Sequence, residues 1–264
     1  KLIKKISILA LIALPFVSCS SDDDSTTTPP VKNTIATIAS NNADLSILVQ
    51  ALQKTDLVAT LDGSQEFTVF APTNASFTAF LQANGFANLD AVPTNVLKEI
   101  LLIHVVAGEL TASALNTGYV KTLAKGSASP TNTLSLFVNT ANGVVLNGGT
   151  SNNGGTVVTA DVQASNGVVH VINGVLALPT IVNHAVANPN FSILVQALTR
   201  EDQPDFAGIL SGTANSPFTV FAPTNEAFVN LLAELNLSGL ADVPQGVLEN
   251  TLKSSISNSS TCPD

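Results

Sequence analysis

Residues 67–77 read FTVFAPTNASF, and residues 218–228 repeat the segment almost unchanged as FTVFAPTNEAF. The match extends beyond these letters, because LSILVQAL at residues 45–52 returns as FSILVQAL at residues 191–198. The two copies are about 150 residues apart, which is the length of a domain and much longer than the unit of a solenoid. The sequence therefore predicts a tandem duplication of one domain.

The repeated segment has a local structural interpretation. Residues 67–70 have the aromatic and β-branched character of a buried strand, and Ala71-Pro72 is expected to end that strand. Thr73 or Asn74 then offers a side-chain oxygen to the unpaired N–H groups at the start of a helix. A second interpretation stays open, in which Thr73 and Asn74 form a polar surface that contacts a partner.

The rest of the first copy predicts helices followed by strands. Apolar spacing indicates helices within residues 33–60, again at Phe77, Phe80 and Leu81, and within residues 92–106, where the last helix runs into a strand. From Leu134 onward, β-branched runs are separated by Asn-Gly pairs, which favour tight hairpin turns; the pairs begin at Asn142, Asn147, Asn153 and Asn166. This order, without regular βαβ alternation, predicts an α+β domain over residues 33–180.

The second copy does not continue in the same way. Residues 102–106 read LIHVV, whereas the equivalent residues 253–257 read KSSIS, and no counterpart of the strand-rich residues 110–178 follows. We therefore expect residues 181–264 to be a truncated second domain with unpaired strand edges. Such a domain is expected to be marginally folded, protease-sensitive, or dependent on packing against the first copy.

The N-terminal residues have the pattern of an export signal. KLIKK supplies a basic start, and ISILALIALPFV is an apolar run too short to span a bilayer. PFVSC resembles the cleavage site of a bacterial lipoprotein, which implies a signal peptide at residues 1–18 and lipid attachment at Cys19. The alternative is an ordinary signal peptide with an incidental cysteine. Residues 19–32 predict a flexible tether, and its acidic start resembles that of surface-exported lipoproteins of Bacteroidetes-type bacteria.

Composition and motif content exclude several classes of function. The formal net charge is −9 and only 11% of residues are charged, so nucleic acid is not an expected partner. Nucleophile-elbow, phosphate-loop, H-E-x-x-H and C-x-x-C motifs are all missing, so no catalytic residue, metal or cofactor is predicted. With Cys19 lipidated, Cys262 has no partner and no disulfide framework is expected.

Three motifs in order resemble the fasciclin domain family. They are FTVFAPTN-x-x-F at residues 67–77, L-x-x-H-V-V-x-G at residues 101–108, and NGVVHVINGVLALP at residues 166–179. The resemblance covers the whole first copy, whereas the second copy carries only the first motif. It implies a β-sandwich-like wedge with flanking helices, in modules that are mostly extracellular or membrane-anchored, serve adhesion, and often occur in tandem.

The second motif departs from the family pattern at one position. Many members have Tyr before the motif histidine, and that Tyr-His pair has been tied to adhesion, but this chain has Ile103-His104. By position, the resemblance makes Ile103 and His104 candidate partner contacts. From the residues alone, His104 and His170 lie in apolar runs, where a histidine is more often a hydrogen-bonded core residue.

These features together predict a lipid-anchored adhesion module that contacts extracellular protein or glycan without catalysis. It is expected on the outer membrane, attached through Cys19 and exposed at the cell surface, or otherwise periplasmic, with the two copies packing on each other. The alternative is an accessory lipoprotein that binds a ligand during nutrient capture. Because the chain has no Trp and only Tyr119, aromatic stacking on a glycan is not favoured.

Overall fold

The computed structural model describes residues 33–258 except 128, 130, 213 and 215. Cys19 and Cys262, with the predicted signal peptide and tether, lie outside the described residues. In the first copy the elements are α1 (Ile35–Ser40), α2 (Ser46–Lys54), α3 (Val58–Leu61), β1 (Phe67–Pro72), α4 (Asn74–Ala83), α5 (Thr94–Ile103), β2 (Val105–Ala107), β3 (Gly118–Lys125), β4 (Thr133–Asn139), β5 (Val145–Leu146), β6 (Gly155–Ala164) and β7 (Gly167–Ile172). In the second copy they are α6 (Ile181–Ala187), α7 (Ser192–Leu198), α8 (Phe206–Ser211), β8 (Phe218–Val220), α9 (Asn225–Glu234), α10 (Gln245–Ser254) and β9 (Ile256–Asn258).

The first copy is built on one seven-stranded mixed sheet. Its strand order is β2-β1-β7-β6-β5-β4-β3, in which β1 and β7 are parallel and every other pair is antiparallel. The sheet curls so that β2 and β3, from its opposite ends, lie against each other. Helices flank this curled sheet, which confirms the predicted α+β wedge.

Two hydrophobic clusters lie on the two sides of β1. Helices α1, α2, α3 and α5 pack on one side, where Phe67, Val69 and Phe77 are buried. The other cluster fills the inside of the curled sheet and includes Phe70 and Ile172. Because β1 faces a core on both sides, all six of its residues are buried, and Thr68 is the one polar residue among them.

The expectation that the strand stops at Phe70 and is broken by Ala71-Pro72 is wrong, because Ala71 and Pro72 belong to β1 and pair with β7. The Phe70 N–H donates to the His104 carbonyl on the β2 side of the strand. By strand alternation the Pro72 nitrogen faces that same side, and β2 pairs only with Phe67, Thr68 and Val69. Proline is tolerated there because no ladder hydrogen bond is lost.

The second copy surrounds its own core with five helices and a two-stranded sheet in the described residues. The core includes Leu194, Phe228, Leu248 and Leu252. Strands β8 and β9 pair in the same antiparallel register as β1 and β2. None of the helices described in residues 33–258 combines the length and the apolar character that a membrane crossing requires.

The two copies contact each other, as expected from the sequence. The Asn183 amide donates to Asn152 Oδ1 at 2.9 Å, and the Asn152 amide donates to the Asn183 carbonyl at 2.9 Å. Nearby, the Tyr119 and His184 rings meet edge to face with their centroids 5.5 Å apart. Short polar side chains therefore join α6 to the segment between β5 and β6 of the first copy, and one aromatic pair joins it to β3.

Candidate functional site

Thr73 and Asn74 use their side chains to hold helices together. Thr73 Oγ1 accepts a hydrogen bond from the Ser76 N–H at 3.2 Å, so Thr73 is the cap of α4. Asn74 Oδ1 accepts from the Ile47 N–H at 2.9 Å, and its amide donates to the Ala43 carbonyl at 2.9 Å. These bonds tie the start of α4 to the start of α2, so a partner that bound these polar atoms would have to break them.

The second copy repeats this arrangement atom for atom. Thr224 Oγ1 accepts from the Ala227 N–H, and Asn225 Oδ1 accepts from the Ile193 N–H at 2.9 Å. The Asn225 amide donates to the Pro189 carbonyl at 2.9 Å. The same letters therefore perform the same structural task twice, and the partner role of Thr73 and Asn74 stays a prediction.

Ile103 and His104 lie inside the protein, with exposed fractions of 0% and 2%. His104 Nδ1 donates to the Ile100 carbonyl at 2.6 Å, and Nε2 accepts from the Leu176 N–H at 2.9 Å. Burial lowers the pKa of His104 from 6.5 to about 4, so the ring is neutral near pH 7. The proposal that these two residues contact a partner does not fit their burial, because neither side chain reaches the surface.

His104 instead fastens α5 to the segment that follows β7. The first motif forms β1, the second leads into β2 on one side of it, and the third forms β7 on the other side. The three motifs of the family are thus brought together as one structural unit around β1. Their polar side chains Thr73, Asn74, His104 and His170 form hydrogen bonds that stabilise the domain.

Asn166, in the third motif, has a structural role that the sequence did not predict, since only a turn residue was expected there. It is 3% exposed, its Oδ1 accepts from the Ile35 N–H at 2.9 Å, and its amide donates to the Leu61 and Gly63 carbonyls at 2.8 Å each. It therefore ties the N-terminal helices to the start of β7. The sequence signal for this role is its position directly before β7, a strand whose six residues are all buried.

His170 is also a core residue, as its apolar surroundings predicted. Its Nδ1 accepts from the Asp161 N–H at 3.2 Å and its Nε2 donates to the Leu110 carbonyl at 2.9 Å. Its ring stacks on Phe70 with the centroids 5.5 Å apart. Across the part of the chain that the structure describes, no three His, Cys, Asp or Glu side chains form a group able to hold a metal.

The candidate binding site is a cavity of about 350 Å³ on the second copy, close to its junction with the first. Apolar residues from α6, α7, β8 and α10 line most of it, and Tyr119 and His184 add polar groups. His184 received no role from the sequence, yet its Nδ1 is buried without a hydrogen-bond partner in the described residues and burial lowers its pKa. A concave, mostly apolar surface with few polar groups is the usual form of a binding site.

Comparison with known proteins identifies the family at this point. The family model described as the Fasciclin domain matches residues 43–179 and 189–261. The chain belongs to the fasciclin family. Both copies are therefore fasciclin segments, and the domains of this family are adhesion or surface-associated modules.

Two curated relatives of this chain are bacterial proteins. Protein sll1483 of Synechocystis sp. is 41% identical over 148 residues, which is 55% of this chain and 74% of the relative. Cell surface glycolipoprotein MPB83 of Mycobacterium bovis is 40% identical over 92 residues, which is 32% of this chain and 40% of the relative. A solved FAS1 domain pair from the insect cell adhesion molecule Fasciclin I is 21% identical with a TM-score of 0.47, and the match covers 72% of this chain and 64% of that one.

Proposed function

We propose that the chain is a lipid-anchored binding module at a bacterial cell surface, which contacts extracellular protein or glycan and performs no catalysis. Membership of the fasciclin family supports the adhesive role. The name of the mycobacterial relative, a cell surface glycolipoprotein, favours the lipid anchor and the surface location. In this proposal the lipid is attached to Cys19. The protein belongs to a Bacteroidetes-type bacterium, and its lipid inserts in the outer membrane.

The observation that carries the proposal is the use of the motif side chains. His104, His170, Asn74 and Asn166 all direct their polar atoms to the protein's own backbone. Chemistry on a substrate needs free polar groups in a cleft, whereas adhesion needs an exposed surface on a stable scaffold. The geometry therefore favours recognition by the outer surface over catalysis at the motifs.

The proposed domain organisation follows from the same features. Residues 1–18 are the signal peptide, residues 19–32 the tether, residues 33–180 a complete fasciclin domain and residues 181–264 a truncated one. A tether of this composition lets a surface module reach away from its membrane.

A second candidate is ligand capture by an accessory lipoprotein, which the cavity of about 350 Å³ favours because it falls in the size range of small-molecule sites. A neighbouring gene for an outer-membrane importer would favour this candidate. An adhesion module does not require an importer gene beside its own.

The proposal is tested by attachment of a deletion strain to surfaces coated with matrix proteins or glycans. We expect the wild-type gene to restore attachment and Cys19→Ala to fail, since a protein without lipid leaves the membrane. Cys262→Ala is the matched control and should restore attachment fully. Full attachment with Cys19→Ala, or no defect in the deletion strain, would contradict the proposal, and resistance of the protein to protease added to intact cells would contradict surface exposure.

A further inference from the structure

Asn-Gly pairs occur six times in the chain, so the same two residues stand in six different environments. They begin at Asn84, Asn142, Asn147, Asn153, Asn166 and Asn173. In such a pair the glycine nitrogen can attack the side-chain amide carbon of the asparagine, because glycine has no side chain to hinder the approach. Since the letters are identical, the structure around each pair decides how readily this reaction occurs.

Two of these pairs, at Asn147 and Asn166, are buried, with exposed fractions of 2% and 3% for the asparagines. Asn147 Oδ1 accepts from the Phe137 N–H at 2.8 Å, and Asn166 makes the three hydrogen bonds described above. The glycine of the second pair, Gly167, packs against the backbone of Phe67. Reaction in either buried pair would therefore require local unfolding.

Three other pairs are accessible to solvent, and in two of them the asparagine side chain is held by a hydrogen bond. The amide of Asn84 donates to the Phe80 carbonyl at 2.8 Å. Asn173 Oδ1 accepts from the Thr156 N–H at 2.8 Å. Each side chain must give up this bond before it can turn onto the following nitrogen.

In the third accessible pair, at Asn153, the nucleophile is held instead. The Gly154 N–H donates to the Gly149 carbonyl at 2.9 Å. A Cβ added at Gly154 would overlap the Leu146 carbonyl oxygen, so this glycine is packed against neighbouring backbone. Its nitrogen is therefore fixed in an orientation that serves the turn.

Asn142 differs from the other five. It lies in the exposed turn between β4 and β5, where the side chains of Asn139 and Thr140 make hydrogen bonds, whereas that of Asn142 makes none with the described residues. The backbone of this turn is held by one isolated bridge between Ala141 and Gly143 rather than by a ladder. No atom lies within 4 Å of the position that a Cβ on Gly143 would take. The side chain can therefore turn onto the Gly143 nitrogen without losing a hydrogen bond or displacing a neighbour.

We propose that Asn142 is a modification site, at which the folded chain deamidates itself to aspartate and isoaspartate. The Gly143 nitrogen bonds to Cγ of Asn142, the Cγ–Nδ2 bond breaks, and ammonia leaves with the proton that the glycine nitrogen loses. Water then opens the cyclic imide at the Cγ–N bond, which gives aspartate, or at the backbone C–N bond, which gives isoaspartate. The reaction consumes only water, and the turn gains one negative charge at neutral pH.

The folded domain accommodates either product. β4 and β5 pair through Val138 with Leu146 and Asn139 with Val145, and residue 142 lies outside both pairs. The additional backbone carbon of isoaspartate therefore falls in the turn and leaves the ladder in register. The modified turn is a charged feature of the exposed surface, whatever the module binds.

Peptide mapping of the full chain by mass spectrometry, during incubation at mildly alkaline pH, tests the proposal. We expect Asn142 to react about fivefold or more faster than the three accessible pairs, since each of those must first lose a hydrogen bond. The two buried pairs should react about a hundredfold or more slower than Asn142, because they require local unfolding. Isoaspartate should appear among the products, since direct hydrolysis of the side-chain amide gives aspartate alone.

Two controls separate the fold from the local letters. Asn142→Gln should stop the reaction in this turn, because the longer side chain must close a six-membered ring, while the other five pairs keep their rates. In guanidinium chloride the chain unfolds, and the advantage of Asn142 should disappear. The same ranking in the unfolded chain would overturn the proposal, as would an Asn142 that reacts no faster than the accessible pairs. Aspartate without isoaspartate would exclude the cyclic imide and overturn it as well.

Discussion

At the scale of single residues, His104 shows how a motif position can serve the fold alone. The neutral ring donates to Ile100 and accepts from Leu176, and burial holds its pKa at about 4 against an ordinary value of 6.5. The folded state therefore resists protonation of this ring, whereas the unfolded chain takes up the proton once the pH falls below about 6.5.

This pKa difference predicts a stability loss in mild acid. The contribution of His104 is fully present above pH 6.5 and is lost as the pH falls to about 4, which corresponds to about 3 kcal/mol. Urea unfolding of wild type and His104→Gln across this range should show the difference between them shrinking by that amount. All other titrating groups are common to both proteins and cancel. A difference that stays constant with pH would contradict the neutral, buried ring.

Gly167 provides a second prediction at this scale. A Cβ added there would overlap the carbonyl oxygen of Phe67, and the φ of +133° disfavours any side chain. Gly167→Ala should cost about 3 kcal/mol or more, because β7 could no longer approach β1. Gly246→Ala, in α10 with no atom within 4 Å of the new Cβ, should instead stabilise by about 0.5–1 kcal/mol. Equal effects in thermal unfolding would contradict the close packing of the two strands.

The residues that sequence reasoning placed least well are those whose role depends on distant partners. Asn166 bonds to Ile35, Leu61 and Gly63, which lie about 100 residues or more away in the chain. Asn-Gly letters predict a local turn, and they carry no information on such partners. The burial of Ile103 and His104, in contrast, agrees with the apolar run in which they lie.

At the scale of elements, Asn74 joins two helices, and its loss is expected to separate them. Asn74→Asp keeps the acceptor for the Ile47 N–H but removes the donors to Ala43 and Ser46 and sets a carboxylate oxygen against the Ala43 carbonyl. We expect a loss of about 2 kcal/mol in the free energy of unfolding. Asn116→Asp removes only one exposed hydrogen bond, from the side-chain amide to the Ala114 carbonyl, and should cost less than about 0.5 kcal/mol. Comparable losses would show that Asn74 is not a structural link.

Most elements were predictable, and the exceptions have physical causes. β4, β6 and β7 coincide with the β-branched runs, and the Asn-Gly pairs between these runs predict the turns that separate the strands. β3 was not identified as a run of its own, because GYVKTLAK has two lysines and an irregular pairing with β4 between Lys121 and Lys125. The extension of β1 through Pro72 depends on which edge of the strand is paired, and that is decided by β2 and β7 rather than by local letters.

At the scale of the whole molecule, the two copies differ in how completely their sheets are built. The first has seven strands and two clusters around β1, whereas the second has two strands and one cluster in the described residues. The tandem pattern predicted this difference. It also predicted that the two copies pack on each other, but it did not identify Tyr119, Asn152 and Asn183 as the residues in contact.

The difference predicts unequal resistance to protease. Under limiting proteinase K, residues 181–258 should be cleaved first and residues 33–180 should persist as a fragment, since local opening is easiest where few strands are paired. Mass spectrometry of the fragments identifies the order. Equal resistance of both halves would contradict the marginal stability expected of the second copy.

Amide hydrogen exchange across the two FTVFAPT segments tests the central claim most directly, because the seven letters are identical and their intrinsic exchange rates therefore match. Our account predicts that the Val69 and Ala71 amides, bonded to β7, exchange at least about a hundredfold more slowly than those of Val220 and Ala222. The Phe70 and Phe221 amides provide the internal reference, because each donates to the carbonyl of the residue that ends a helix, His104 after α5 and Ser255 after α10. Equal protection of Val69 and Val220 would contradict the claim that one sequence is enclosed in a sheet in the first copy and lies at a sheet edge in the described residues of the second.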